Sequence, residues 1–184
     1  VKTLLEALEC AQSPLSHQRL WSWHRTLFPH NLSGPFPIHA GAYRTDAIAV
    51  ISGSSKNQEV LFEAPSADLV PQEMEAFIAW INEISDIPDS IHSAIAHLWF
   101  LTIHPFEDGN GRMARIIGNY MFNRHHTNNQ VLFSLATQLK KHQGEYYEQL
   151  RQAQTGSLDC TNWIRWYLGQ IREAQERAIQ SCEK

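Results

Sequence analysis

Cysteine is scarce, basic charge is in deficit and long apolar runs are missing. The three cysteines, Cys10, Cys160 and Cys182, are odd in number and far apart. They form neither a zinc-binding spacing nor a disulfide framework, and reduced thiols in a cytoplasmic protein are the plain expectation. Lys and Arg total 15 against 19 Asp and Glu, a formal net charge of −4. A general nucleic-acid-binding domain would carry a basic excess. No stretch approaches the roughly 20 apolar residues of a membrane-spanning helix. No basic leader precedes an apolar run, although the first residue is Val1 and not Met, so that absence carries little weight. Internal repeats and low-complexity segments are also missing.

What is there is a chain of 184 residues, 43% apolar and 18% charged. That is enough apolar material for one core and too little charge for a disordered chain. Ten histidines are many beside 15 Lys and Arg, so the net charge climbs below about pH 6.5.

Most segments carry helical periodicity. Residues 1–12 place Val1, Leu4, Leu5 and Leu8 on one stripe, and Ser13-Pro14 breaks it. Ser16 caps a helix to Phe28 with Leu20, Trp23, His24 and Leu27 at helical spacing, and Pro29 stops it. Residues 29–42, rich in proline and glycine, read as loop. Ala47 to Ser52 and Glu59 to Phe62, joined by a polar tip, read as a β-hairpin and as the chain's one credible strand pair. Pro71 suits the start of a helix through Met74, Phe77, Ile78 and Ile81. Ser90 to Ile103, nearly devoid of charge, predicts the central core helix. Further helices are expected from Arg112 to Arg124, Leu132 to Lys141, Gly144 to Gln154 and Thr161 to the end, with Asn128-Asn129 in a loop and Asp159 or Thr161 capping the last helix. The expected fold class is mainly α, with one hairpin. Residues 1–13 form a lead-in helix, and residues 14–184 form one domain.

The informative stretch runs from His104 to Arg115, HPFEDGNGRMAR. Pro105 ends one helix and a glycine-rich turn opens another. Gly109 and Gly111 let backbone amides approach a ligand closely. Unpaired amides and the dipole at a helix start attract an anion. Arg112 and Arg115 lie three apart on one helix face and flank the same anion. Asp108 sets a carboxylate beside this cradle, a typical magnesium arrangement next to phosphates. His104 supplies a group able to take a proton near neutral pH. A lone D-G-N-G is usually only a turn, and a lone His before Pro only a helix stop. The joint pattern is the inventory needed to move part of a nucleotide to a hydroxyl, with the phosphate chain attacked in line.

The same residues match in full the H-P-F-x-D-G-N-G-R-x-x-R signature of Fic (Fido) domain proteins, and the chain resembles that family almost throughout. Pro14 to Leu27 is similar to the family's pre-core helix, Gly41-Ala42-Tyr43-Arg44 to its G-x-(Y/W)-R turn, and Val60 to Trp80 to its flap and following helix. Glu145 to Leu150 resembles the paired-tyrosine helix. The resemblance implies a Fic-type helical bundle whose hairpin flap lies beside the active site. It implies a protein adenylyltransferase moving AMP from ATP to a Ser, Thr or Tyr hydroxyl of a target protein, with release of pyrophosphate. His104 would be the base, Phe106 would hold the loop, and Asp108 would hold Mg2+ or Mn2+. Gly109, Asn110 and Gly111 would surround the α- and β-phosphates, Arg112 would bind phosphate, and Arg115 would take the γ-phosphate end. Within the flap, Glu59, Val60, Leu61 and Phe62 would lie nearest the nucleotide and align the target by strand addition. Tyr146 and Tyr147, which alone would read as packing, would wall the adenine or ribose. Gln154 stands where the family often has Asn on the adenine side.

Outside the signature, His24, His92 and His97 sit on apolar helices and read as packed histidines, and His125-His126 as a helix-end pair. Many members of the family are held inactive by a helix carrying (S/T)-x-x-x-E-(G/N), whose glutamate pairs with the second signature arginine, here Arg115. No Ser or Thr of this chain begins that pattern. The resemblance places the motif in a bacterial subgroup's regulatory domain upstream of Val1, or on a separate antitoxin-like chain. A homodimer is compatible with the resemblance, and no membrane or nucleic-acid partner is expected. UMP or phosphate transfer is the alternative chemistry, but the family's kinase branch alters the D-G-N-G core that is intact here. A non-enzymatic ATP-binding regulatory module is the third reading, and it has no need of His104.

Overall fold

The structure, a computed structural model, describes residues 7, 12–52, 59–83, 86–124 and 135–182, with backbone alone at 50–52, 59–61, 181 and 182. The elements in chain order are α1 (His17–Leu27), β1 (Leu32–Ser33), β2 (Phe36–Pro37), β3 (Ala49–Ser52), β4 (Glu59–Glu63), a 3₁₀ turn (Ala67–Leu69), α2 (Val70–Asn82), α3 (Asp89–Ile103), α4 (Asn110–Phe122), α5 (Leu135–Lys141), α6 (Gln143–Thr155) and α7 (Thr161–Cys182). Of the expected lead-in helix, only Ala7, Gln12 and Ser13 are described; the hairpin tip, the Asn128-Asn129 loop and His125-His126 lie outside the described residues.

The central pair is α3 and α4, which pack against each other more extensively than any other two elements. Burial of Ala94, Ala96, Phe100, Leu101 and Ile103 on α3 against Met113, Ala114, Ile116 and Ile117 on α4 explains why a helix with so little charge sits at the centre. Helix α7 lies across this pair. A Cβ on Gly118 would come within 2.6 Å of the Tyr167 hydroxyl, so only glycine allows that approach. The Trp163 indole donates to the Ala94 carbonyl at 2.8 Å, which satisfies a polar atom that burial would otherwise strand.

Local signals explain most ends. The Ser16 hydroxyl accepts from the Arg19 amide and caps α1. Pro71 lies in the first turn of α2. The Asp159 carboxylate accepts from the Thr161 amide at the start of α7. Helix α4 begins at Asn110, two residues earlier than the periodicity suggests, because Gly109 takes a left-handed conformation (φ 79°) and serves as its cap.

The hairpin is present, with β3 antiparallel to β4 in the register Ala49↔Glu63, Val50↔Phe62, Ile51↔Val60 and Ser52↔Glu59 and an irregularity after Val50. Strand β4 lies beside α6. It is not the sole pair. Inside the segment read as loop, Leu32↔Pro37 and Ser33↔Phe36 form a second two-stranded ribbon. The ribbon is too short for an alternating pattern, and positive φ at Asn31 (54°) and Gly34 (57°) turns it.

Candidate functional site

The signature forms the turn between α3 and α4. Its first residue, His104, ends α3 in a left-handed conformation, φ 52° and ψ 58°, with its amide on the Phe100 carbonyl. Such a conformation is costly for a residue with a Cβ and needs support. Arg44 supplies it. This 3%-exposed arginine donates from Nε to the His104 carbonyl (2.8 Å), and from its terminal nitrogens to the carbonyls of Asp46 (2.8 Å), Pro65 (2.6 Å) and Ile103 (3.4 Å). Its own amide donates to Pro105 at 2.9 Å. A guanidinium therefore caps the negative end of α3, where carbonyls lack intrahelical partners.

The imidazole of His104 is oriented by the Leu101 carbonyl, 3.2 Å from Nδ1. A carbonyl only accepts, so Nδ1 carries the proton and Nε2 keeps its lone pair. Burial, aided by the charge on Arg44, holds the pKa of His104 below the usual 6.5. The ring is neutral at pH 7 and its free nitrogen can accept a proton.

The loop beyond is packed from beneath. Phe106 is fully buried and stacks on His24 with ring centroids 3.9 Å apart. The Asn110 side chain accepts from the Phe106 amide (2.9 Å) and donates to its carbonyl (2.7 Å). That side chain is therefore a staple for the loop. A Cβ on Gly109 would lie 2.7 Å from the Phe28 ring. His24 accepts from the Gly41 amide at Nδ1 (2.8 Å) and donates from Nε2 to the Asp108 carbonyl (3.0 Å). His24 is the packed histidine that the sequence suggests, and it also fixes the back of the loop.

Asp108 accepts from the Ser33 hydroxyl and from the Gly109 amide, and Arg112 lies 3.7 Å from its Oδ2. Burial raises its pKa, but these donors outweigh burial and hold the carboxyl below the ordinary value. It is a carboxylate at neutral pH, with its side chain 48% exposed. The Arg112 guanidinium rests on the Phe28 ring at 4.3 Å, which holds it beside the helix start.

A cavity of about 220 Å³ opens next to this turn. It gathers His104, Gly111, Arg115, Phe62, Tyr146, Tyr147 and Gln154, seven residues expected from sequence, from the signature, the flap and α6. Leu101, Leu150 and Arg151 complete the lining and were missed. Leu101 and Leu150 look like ordinary core residues in sequence, and Arg151 like a surface charge. Asp108, Gly109, Asn110 and Arg112 stand on the loop and first helical turn beside the cavity. Glu59, Val60 and Leu61 lie on β4. Gln154 donates to the Thr102 hydroxyl at 3.4 Å. Arg115 and the two tyrosines also border an adjoining cavity of about 430 Å³.

The tyrosines differ. Tyr147 is 47% exposed, whereas Tyr146 is buried with its hydroxyl 2.9 Å from His97 Nε2. His97 is fully buried, and burial drives its pKa down to about 3. It is a neutral partner that fixes the cavity wall.

Comparison with known proteins fits this geometry. Residues 14–122, more than half of the chain, match the Fic/DOC family. The chain is 28% identical over 162 residues to the protein adenylyltransferase Fic of Nematostella vectensis, covering 86% of this chain and 32% of that protein. It is 32% identical over 146 residues to the protein adenylyltransferase fic-1 of Caenorhabditis elegans, covering 78% of this chain and 25% of that one. The chain thus spans about a quarter to a third of the length of these curated relatives. The crystal structure of a Fic family protein from Desulfovibrio desulfuricans G20 superimposes with a TM-score of 0.78 at 25% identity, covering 100% of this chain and 53% of that one. A Fic domain containing signaling protein from Bacteroides thetaiotaomicron shares the fold, with a TM-score of 0.73 at 22% identity over 97% of this chain and 67% of that one. With the full signature folded as one turn beside one cavity, the chain belongs to the Fic/DOC family.

Proposed function

We propose that this domain transfers AMP from ATP to a Ser, Thr or Tyr hydroxyl of a target protein and releases pyrophosphate. One observation carries the reading: the free Nε2 of His104 shares a cavity with Arg115 and the Gly111 backbone at the start of α4. In the proposed reaction Nε2 takes the hydroxyl proton as the target oxygen bonds to the α-phosphorus. The bond from that phosphorus to the bridging oxygen of the β-phosphate breaks, and pyrophosphate leaves. The helix-start amides, Arg112 and Arg115 bind and orient the phosphates. Tyr146 and Tyr147 wall the base or ribose, with Phe62 and Gln154 at its edges.

Asp108 suits a magnesium ion. It is ionised and partly exposed, and among the described residues no cluster of three or more metal-ligating side chains gathers anywhere. A lone carboxylate matches magnesium carried chiefly by nucleotide phosphates rather than a cation held by a protein cage. When bound, the ion supplies neutralising charge to the phosphate chain. Asp108 would hold it.

Regulation belongs to the same proposal. The Arg115 fork suits a phosphate or a carboxylate. A glutamate from a regulatory segment or a separate chain would compete there with the γ-phosphate. The target is a protein, and a cytoplasmic setting follows the cysteine usage. No helix among the described residues is long and apolar enough to cross a membrane.

Mass spectrometry of candidate targets, incubated with ATP or UTP and magnesium, tests the reading. Addition of AMP from ATP is the expected result. A UMP adduct or a phosphate would favour the alternative transferases, and no adduct would favour a binding module.

A further inference from the structure

We infer that Ser33 is a positioning residue for the metal-holding carboxylate, and that the short ribbon of β1 and β2 exists in part to place it there. The inference rests on the reading of Asp108 as the metal ligand and adds a residue that the signature does not contain.

All three oxygens of Asp108 are held. His24 holds the carbonyl at 3.0 Å, the Gly109 amide holds Oδ1 at 2.5 Å, and the Ser33 hydroxyl donates to Oδ2. The first two holds come from elements that the loop needs in any case. Ser33 comes from 75 positions away along the chain. The backbone that carries it is specified in detail. Asn31 turns at φ 54° and Gly34 at φ 57°, Ser33 pairs with Phe36, and the Ile38 amide closes on the Asn31 carbonyl at 2.9 Å. Just beyond, the His39 amide (3.0 Å) and ring (2.6 Å) bind the two oxygens of Glu107, which ties the ribbon to the residue before Asp108.

The direction of the effect follows from Arg112. Its guanidinium stands 3.7 Å from Oδ2, too far for a hydrogen bond. Without the Ser33 donor, Oδ2 would close on Arg112 in a charge-assisted pair. That pair would engage the carboxylate that the metal needs and the cation that the phosphates need. With the hydroxyl in place, Oδ2 keeps a lone pair for a cation. Partners that orient a ligating carboxylate typically change metal affinity 10–100-fold when removed.

The test measures Mn2+ by the electron paramagnetic resonance of the free ion, with α,β-methylene-ATP as the nucleotide so that nothing turns over. Ser33→Ala should weaken Mn2+ binding to the protein–nucleotide complex by about tenfold. It should weaken metal-free binding of the analogue by less, because Arg112 keeps further N–H donors for phosphate, and Ser33→Thr, which keeps the hydroxyl, should restore both. Unchanged Mn2+ affinity in Ser33→Ala overturns the inference. So does an equal loss of metal-free binding, or a loss that Thr does not restore. Asp108→Asn in the same assay separates the two readings. If it weakens Mn2+ binding and Ser33→Ala does not, only the Ser33 inference falls. If it changes nothing, the assignment of Asp108 falls and the inference falls with it.

Discussion

His104 is suited to the proposed role of base because two neighbours act on different atoms. The Leu101 carbonyl fixes the proton on Nδ1, and Arg44 holds the backbone that aims the ring. Replacing His104 with Ala should lower transfer by about 10²–10⁴-fold, the usual contribution of a general base. ATP affinity should persist, because in the proposed reaction the ring acts on the target hydroxyl; calorimetric titration with the ATP analogue checks this. The pKa of His104 is lowered by burial, so the rate should hold as pH falls through 6.5 and decline only below it. A pH–rate profile whose acidic limb lies above 6.5 would contradict that. Arg115→Ala should raise the KM for ATP and weaken any carboxylate inhibitor together, read by initial rates with and without the regulatory partner. The site from His104 to Arg115 was legible because its parts are neighbours in the chain. Ser33, His24 and Arg44 were not legible as parts of it. Their contacts with the loop span 75, 84 and 60 positions, and no local pattern encodes a partner at that distance.

At the scale of elements, the site is a helix end set against a helix start, and each half depends on burial behind it. Phe106→Ala removes a fully buried ring from between His24, Tyr43 and Phe100. It should cost about 3–5 kcal/mol in chemical denaturation. Arg44→Met keeps apolar bulk but strands the carbonyls at the end of α3. Unsatisfied buried acceptors cost about 1–3 kcal/mol each. A stability loss in that range should accompany a kcat deficit larger than the KM change, because His104 loses its aim while the proposed phosphate cradle on α4 remains. Helices were readable from periodicity and caps, and α1, α2, α3, α6 and α7 all fall within about two residues of expectation. The ribbon of β1 and β2 was not. Two-residue strands carry no alternation, and their proline and glycine content is that of a loop.

At the scale of the whole molecule, the bundle carries neutral histidines in its core. His24 and His97 both have pKa values lowered by burial, His97 to about 3. The unfolded chain therefore binds more protons than the folded one below the ordinary histidine pKa of 6.5. Stability should be fully present above about 6.5 and decline as pH falls toward 3, and denaturant titrations at a series of pH values check the slope. His97→Leu should flatten that slope while freeing the Tyr146 hydroxyl, so that ATP binding weakens.

The central claim is that one histidine drives transfer of the α-phosphoryl end of ATP to a protein hydroxyl. Its most direct test supplies the domain and a protein mixture with ATP radiolabelled at either the α- or the γ-phosphate, alongside the His104→Ala variant. The α-label should become covalently attached to protein, the γ-label should leave as pyrophosphate, and the variant should attach neither. Covalent γ-label, or α-label attached equally by the variant, would contradict the account.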